Sequence, residues 1–320
     1  MASYSKGQIE QYLDHIGFRN ADAGILPPPT LATLTEIQAR HLARVPFENI
    51  SLRYSAKTPP LSLDEQDLFD KIVVGGRGGY CMEVNAFLSA VMRGLGFDVL
   101  NVGGRIKKSD DSGRFSGLSH MLNIVTIDGQ RYQVDVGFGK GGPPMPIPLP
   151  RKDDGGRHDF VRIPPSSMGR VEWRSIPRQH LDADQRVWVY STREDGEEEG
   201  WKERYSFVDA EFFPEDYEVL NFHTMTHPDS FFLNNVMAVR TVPEGEADGE
   251  VVLPCRGGCA ARGTWVLFND EIKRTVAGRE EVVERLQSEE ERIRGLERYF
   301  GIKVSPEQAA AIKDPLGGSG

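Results

Sequence analysis

The stretch "HMLNIVTIDGQRYQVDVGF", His120 to Phe138, alternates apolar and polar residues on both sides of Asp128-Gly129. Asp-Gly between two such runs is a strong signal for a two-residue hairpin. With that turn, Ile127 pairs with Gln130, and counting back along both strands brings Asp135 opposite Leu122. His120 lies two positions from Leu122, so period-two geometry puts both on one face. Asp135 is then a diagonal neighbour of His120, roughly 7–8 Å away between backbones, a gap that a carboxylate and an imidazole can bridge. A bulge would break the pairing by flipping one partner. A His near an Asp in a hairpin is also common as surface decoration, so the pair alone does not define a site.

Upstream lies "GGRGGYCMEVN", Gly75 to Asn85, which holds one of the chain's three cysteines. After Cys81 the apolar positions Val84, Phe87, Leu88, Val91 and Leu95 follow a 3.6 period, so a helix begins at or next to the cysteine. A thiol is a useful nucleophile only as thiolate, and a free cysteine titrates near pH 8.5. The first turn of a helix favours an anion. So does a neighbouring imidazolium that is itself held by a carboxylate. Gly78 and Gly79 permit a sharp turn and keep side chains away from an approaching substrate, and amides at the turn could stabilise an oxyanion. The alternative is a buried Cys81 acting as a small hydrophobe beside a helix start. Both readings stand on these residues alone.

Composition narrows the rest. The chain has 320 residues, 39% of them hydrophobic and 27% charged, enough for a sizeable core in two or three subdomains. A net charge of −10 disfavours nucleic acid as a partner, because phosphate neutralisation needs clustered Lys and Arg. Arg105, Lys107, Lys108 and Arg114 form the one suggestive basic patch, either a solvated loop or a hold for a small phosphorylated ligand. No apolar run of about 18 residues is present, so no membrane partner is expected. The N-terminus has no signal-peptide pattern, and the odd, sparse cysteine count fits a reducing, cytoplasmic location.

The chain falls into three segments. Residues 1–96 read as helices, with Ser5 and Thr30 as caps and "SLDE", Ser62 to Glu65, as a capping box. Residues 97–209 read as strands, among them "DVLNVGGRI", "QRVWVYST" and "ERYSFV". Residues 210–320 are mixed. "FFLNNVMAVRTV" and "GTWVLFND" read as strands, and "AGREEVVERLQSEEERIRGLERYF" as one helix with Val282, Leu286, Ile293, Leu296 and Phe300 on one side.

"RVPFENI", "RGGYCMEVN", "GLSHMLNIVTIDGQRYQVDVGFG" and "MTHPDSFF" together resemble the arylamine N-acetyltransferases. The intervals from Cys81 to His120 and from His120 to Asp135, and the ending "LERYFGI", are similar too. The resemblance covers roughly Ser5 to Val304 and looks eukaryotic, of a fungal kind. It implies an α+β fold: a helical bundle over 1–96, a β-barrel over 97–209 and an α/β lid with a C-terminal helix over 210–320. It also implies a triad like that of papain-like and transglutaminase-like enzymes. Cys81 is then the acylated nucleophile, His120 the base and acid, and Asp135 the orienter. The implied reaction is ping-pong, from acetyl-CoA through an acyl-cysteine to an arylamine, arylhydroxylamine or hydrazine. Ser116, Gly117 and His223 are the implied CoA contacts. Phe47 and Phe138 would line the acceptor pocket.

Two residues depart from the family pattern. Met82 replaces a more usual aromatic, and Lys140 stands where an Arg is familiar. Lys140 could suit an acyl group bearing a carboxylate, and some fungal relatives prefer malonyl-CoA, so that donor is the alternative. A cysteine hydrolase or transglutaminase-like enzyme and a silent interaction domain are the other readings. No metal is expected: Cys255 and Cys259 have no second cysteine pair, and Pro228 disfavours a helical His223–His227 site. The expected assembly is a monomer or a weak homo-oligomer.

Overall fold

A computed structural model describes residues 4–18, 24–55, 57–110, 112–152, 160–180, 185–197, 200–246, 260–276, 278–312 and 316. The first segment runs α1 (Lys6–His15), α2 (Leu31–Arg44), β1 (Phe47–Glu48), α3 (Ile50–Arg53), α4 (Glu65–Phe69), a π turn over Asp70–Val74 and α5 (Cys81–Gly94). Ser5 and Thr30 cap α1 and α2 by accepting the N–H groups of Gln8 and Thr33. The cap of α4 is Asp64, which accepts from Gln66 and Asp67, and not Ser62. Ser62 instead takes the Asp64 N–H and shapes the approach to the helix.

Helix α5 is the centre of the first core. Val84, Phe87, Leu88 and Val91 are fully buried among residues of α1, α2 and the adjoining sheet. Burial of each such side chain stabilises the fold by about 1.5–3 kcal/mol. A helix buried almost all round fixes its N-terminal residue, Cys81, in place.

His41 shows how this core reports on pH. The Tyr12 hydroxyl and its Nδ1 share a hydrogen bond at 3.0 Å, and its Nε2 has no partner among the described residues. Burial, with His15 nearby, holds the His41 pKa down at about 3. The unfolded chain takes up this proton near 6.5 and the folded chain does not. Stability is therefore complete above 6.5 and falls as the pH drops toward 3. At pH 5 the loss from His41 is about 2 kcal/mol. Thermal melts at pH 7 and pH 5 should show this fall, and His41→Gln should shrink it. An equal fall in both proteins would place the acid sensitivity elsewhere.

The second segment forms one sheet, introduced in chain order as β2 (Asp98–Ile106), β3 (His120–Ile127), β4 (Gln130–Val134), β5 (Ile147–Pro148), β6 (Val161–Ile163), β7 (Ser167–Arg174), β8 (Val187–Glu194) and β9 (Lys202–Phe207). Its spatial order is β5-β4-β3-β2-β9-β8-β7-β6, and β5 comes back against β7, so the sheet curls into a nearly closed barrel. Asp128 and Gly129 both have positive φ, as a primed hairpin turn requires. Ile127 pairs with Gln130, and the register holds to Asn123–Val134. The ladder stops there, so Asp135 does not pair with Leu122 as parity alone predicts. Its carboxylate takes the Gly137 N–H at 2.8 Å and turns the chain away from the strand.

The last segment holds α6 (Pro214–Thr226), α7 (Phe231–Asn234), β10 (Met237–Pro243), β11 (Ala261–Phe268), β12 (Glu271–Val276), β13 (Arg279–Arg285), α8 (Glu289–Phe300) and α9 (Pro306–Ala310). Strands β10 to β13 form a second sheet whose other edge is β1, so Phe47 and Glu48 tie it to the helical segment. One long helix over this region's end was expected, and the structure divides it. Arg279–Arg285 is a strand paired with β12 past Gly278, which has φ +77°, and Ser288 caps a separate α8. Val282 is half-exposed rather than part of an apolar helix face. Pairing with β12 overrides the helical preference of the Glu- and Arg-rich sequence. No helix of the described residues is long and apolar enough to cross a membrane.

Candidate active site

The turn before Cys81 is built on a buried ion pair. Glu48 Oε1 accepts from Arg77 Nε at 3.0 Å and from the Gly78 N–H at 3.2 Å, while Oε2 accepts from the Ile50 N–H at 2.6 Å. Arg77 outweighs the cost of burial and holds the Glu48 carboxyl below its usual range. Glycine serves here for a different reason from the one the sequence suggests. The left-handed residue is Gly76, with φ +62°. At Gly78 a Cβ would fall 1.7 Å from the Pro46 carbonyl oxygen, and at Gly79 one would fall 2.5 Å from Glu83 Oε2. Both glycines make room for the protein's own chain.

Tyr80 then caps α5 with its backbone, its N–H donating to Glu83 Oε2 at 3.1 Å. The next residue is Cys81, at the positive end of the helix. The neighbouring Lys71 reaches Glu83 at 2.5 Å, so Arg77 and Glu83 shape the turn. Met82 is fully buried in the core with Leu52, Leu61 and Met121.

His120 Nε2 donates to Asp135 Oδ2 at 2.7 Å, with both side chains buried. Asp135 Oδ1 accepts from Asn85 Nδ2 at 2.9 Å and from the Gly137 N–H at 2.8 Å. Burial alone would depress the imidazole, but the Asp135 charge and bond outweigh it and raise its pKa to about 10. A hydrogen bond with the Cys81 sulfur adds to the rise. Burial pushes the Asp135 carboxyl up, and His120 more than reverses this, leaving it below its usual value. The Cys81 thiol is only 3% exposed and also lies 3.8 Å from the Ser119 carbonyl oxygen. The three residues meet as a cysteine, an imidazole and a carboxylate in water-poor surroundings.

Sequence reasoning missed Asn85. It lies one helical turn after Cys81, on the same face, and besides Asp135 it binds the Met121 carbonyl at 2.7 Å and the Val136 N–H at 3.0 Å. That i, i+4 spacing was readable. Tyr205 was also missed. Its ring stands 5.1 Å from His120 and 4.8 Å from Phe138, and nothing local in the sequence marks it.

Phe47, Phe138 and Lys140 line one cavity of about 260 Å³, which Asp135, Tyr190 and Arg204 also border. The Lys140 ammonium is paired with Glu280 at the surface. Ser116 and Gly117 border a separate cleft of about 670 Å³ with Arg105, Arg178 and His180. A Cβ on Gly117 would meet nothing within 4 Å, so its backbone is open. In the basic patch, Lys107 pairs with Glu203 and Arg114 with Asp110. His223 borders neither space. It is exposed on α6 and stacks on His227 at 4.6 Å, while Asn221 of the same helix takes the Tyr80 hydroxyl. Cys255 and Cys259 lie outside the described residues.

Known proteins are similar to this chain. A family model described as N-acetyltransferase matches residues 30–248. The chain is 33% identical to the N-malonyltransferase FDB2 of Fusarium pseudograminearum (strain CS3096), over 97% of this chain and 93% of that one. It is 28% identical to arylamine N-acetyltransferase 1 of Homo sapiens, over 74% of this chain and 79% of that one. The solved arylamine N-acetyltransferase of Mycobacterium marinum in complex with CoA has the same fold, with a TM-score of 0.73 at 23% identity over 95% and 97% of the two chains. The match runs through both the turn at Cys81 and the hairpin that carries His120, and on it this chain belongs to the arylamine N-acetyltransferase family of acyltransferases.

Proposed function

We propose that the protein moves an acyl group from acyl-CoA to the nitrogen of an arylamine, arylhydroxylamine or hydrazine through a thioester on Cys81. The observation that carries this is the contact of a helix-start cysteine with an imidazole already bound to a buried carboxylate. The imidazolium beside the sulfur stabilises the anion that attacks the acyl carbonyl. The C–S bond to CoA breaks, His120 gives its proton to the departing sulfur so that CoA leaves as its thiol, and an acyl-Cys81 thioester remains beside a neutral imidazole. First-turn amides of α5 are the proposed donors to the developing oxyanion. Acylation removes the sulfur's support for the His120 proton. The imidazole then takes the proton of the attacking amine, and the Cys81 sulfur leaves. An arylamine suits this step because it is neutral near pH 7.

Ser116 and Gly117 are the proposed CoA contacts, supported by the open cleft they border. His223 remains a weaker proposal, since it is turned outward. Phe47 and Phe138 are the proposed aromatic walls for the acceptor. Acetyl-CoA is the first donor. Malonyl-CoA is the second, favoured by the likeness to FDB2 along nearly the whole chain.

The test is incubation with acetyl-, propionyl- or malonyl-CoA and no amine, followed by intact-mass and peptide mass spectrometry. An acyl mass should appear on the peptide that carries Cys81, and a later arylamine should remove it. Absence of any adduct, with cleavage of peptide amides instead, would sink the transferase reading in favour of a hydrolase. Neither reaction, with no selective alkylation of Cys81, would leave an interaction domain.

A further inference from the structure

The cavity beside the triad holds a cation and a hydroxyl that the triad does not use. Arg204 sits on β9 at a bulge: Tyr190 pairs with Tyr205 and Ser191 with Glu203, so Arg204 is the extra residue. Bulges re-aim side chains next to sites. The guanidinium borders the cavity and lies against Gly141, where a Cβ would come within 3.2 Å of Cζ. Its Nε donates to Thr192 Oγ1 at 2.7 Å. No carboxylate pairs with it among the described residues. Asp135, on the same cavity, is saturated by His120, Asn85 and Gly137, and Glu194 contacts Ser167. Tyr190, from the paired strand, is fully buried on the cavity wall, and its hydroxyl has no hydrogen-bond partner among the described residues. A buried hydroxyl left without a partner costs about 1–3 kcal/mol. A ligand oxygen would remove that cost.

We propose that Tyr190 and Arg204 form a subsite for a carboxylate carried by one of the two reactants. The guanidinium fork matches a carboxylate, and the Tyr190 O–H supplies a further donor. The subsite opens beside Asp135 and Phe138, and Phe138 packs edge-on against His120 at 5.7 Å. A malonyl thioester carries its carboxylate two bonds from the reacting carbonyl, and an aminobenzoate carries one on its ring. Lys140, the cation expected to do this from sequence, is held by Glu280 instead. The inference rests on the acyltransferase reading for its reaction, not for its chemistry of recognition.

The experiment compares wild type, Tyr190→Phe, Arg204→Gln and Arg204→Lys. In one arm Cys81 is loaded with malonyl-CoA or acetyl-CoA in a single turnover without amine. In another, the acetyl-enzyme is offered 4-aminobenzoate or 4-methylaniline. Arg204→Gln should reduce the preference for the carboxylate-bearing reactant by about 10–100-fold, and Tyr190→Phe by about tenfold. Arg204→Lys should recover part of it. Whichever arm shows the change identifies the source of the carboxylate. Tyr190→Phe removes no bond within the protein, so a purely structural role predicts no change in selectivity for it. Equal losses toward charged and neutral reactants, or no loss in either arm, overturn the subsite. If wild type forms no acyl adduct with either donor, the acyltransferase reading fails separately. Calorimetric titration with malonate then decides the subsite: binding lost in Arg204→Gln supports it, and equal or absent binding in both proteins overturns it.

Discussion

Asp135→Asn should slow the acylation of Cys81 by about 10³–10⁴-fold while leaving the chain folded. The contacts into this carboxylate come from donors: His120 Nε2, Asn85 Nδ2 and the Gly137 N–H, with the Tyr205 hydroxyl also bonded to it. An Asn has one oxygen for these partners and an NH₂ that must face one of them. With its oxygen toward Asn85 and Gly137, the NH₂ meets His120 and makes Nε2 an acceptor. The ring proton then moves to Nδ1, the nitrogen left for the sulfur. A neutral imidazole in that tautomer cannot take a proton from the thiol. Loss of the carboxylate also removes the interaction that raises the His120 pKa, so the imidazolium no longer persists at neutral pH. Single-turnover acyl-CoA loading, read by quenched intact mass, measures the rate. A loss below about tenfold, in a variant with an unchanged melting temperature, would remove Asp135 from the orienting role.

The part of this site that was legible in the sequence is the part set by local rules. Asp128-Gly129 fixes a primed turn, the turn fixes register, and register carries His120 toward Asp135. The last step was only approximate, because Asp135 leaves the ladder to bond Gly137. The start of α5 was readable from apolar spacing, since a buried helix must present its core positions at 3.6-residue intervals. The second wall of the site was not readable. Tyr190, Arg204 and Tyr205 come from strands far along the chain, and a bulge decides where Arg204 sits. Lys140 was a reasonable cation by position, but its partner Glu280 lies on β13, a strand hidden within an apparently helical run. Missing that strand and misplacing the free cation were therefore one error. The glycines at 78 and 79 carry the same lesson. Their packing partners, Pro46 and Glu83, appear only once the turn is closed.

Gly137→Ala should slow acylation by at least about 100-fold with the His120–Asp135 pair still formed. Gly137 has no positive φ, so alanine adds no backbone strain there. The obstacle is contact. A Cβ would stand 2.5 Å from Cys81 Cα, 2.6 Å from Asn85 Nδ2 and 3.0 Å from Cys81 Cβ. The first of these atoms is backbone at the head of a helix packed on every side, and it cannot swing aside as a side chain could. Either α5 shifts or the loop after Asp135 does. Overpacking of this kind costs about 1–3 kcal/mol of stability, a modest change beside the expected loss of rate. A displacement of even about 1 Å between nucleophile and imidazole spoils the aligned transfer. The Gly137 N–H survives the substitution and can still hold Asp135, so the effect isolates the position of the thiol. Gly7→Ala is the control, since a Cβ there meets nothing within 4 Å. Loading of Cys81 by acyl-CoA should fall far more than its alkylation by iodoacetamide, a small reagent with looser geometric demands. Equal falls in both would mean that the thiol had been buried more deeply, and wild-type loading would mean that the loop yields and that the close approach of Gly137 to Cys81 does not set the geometry of attack.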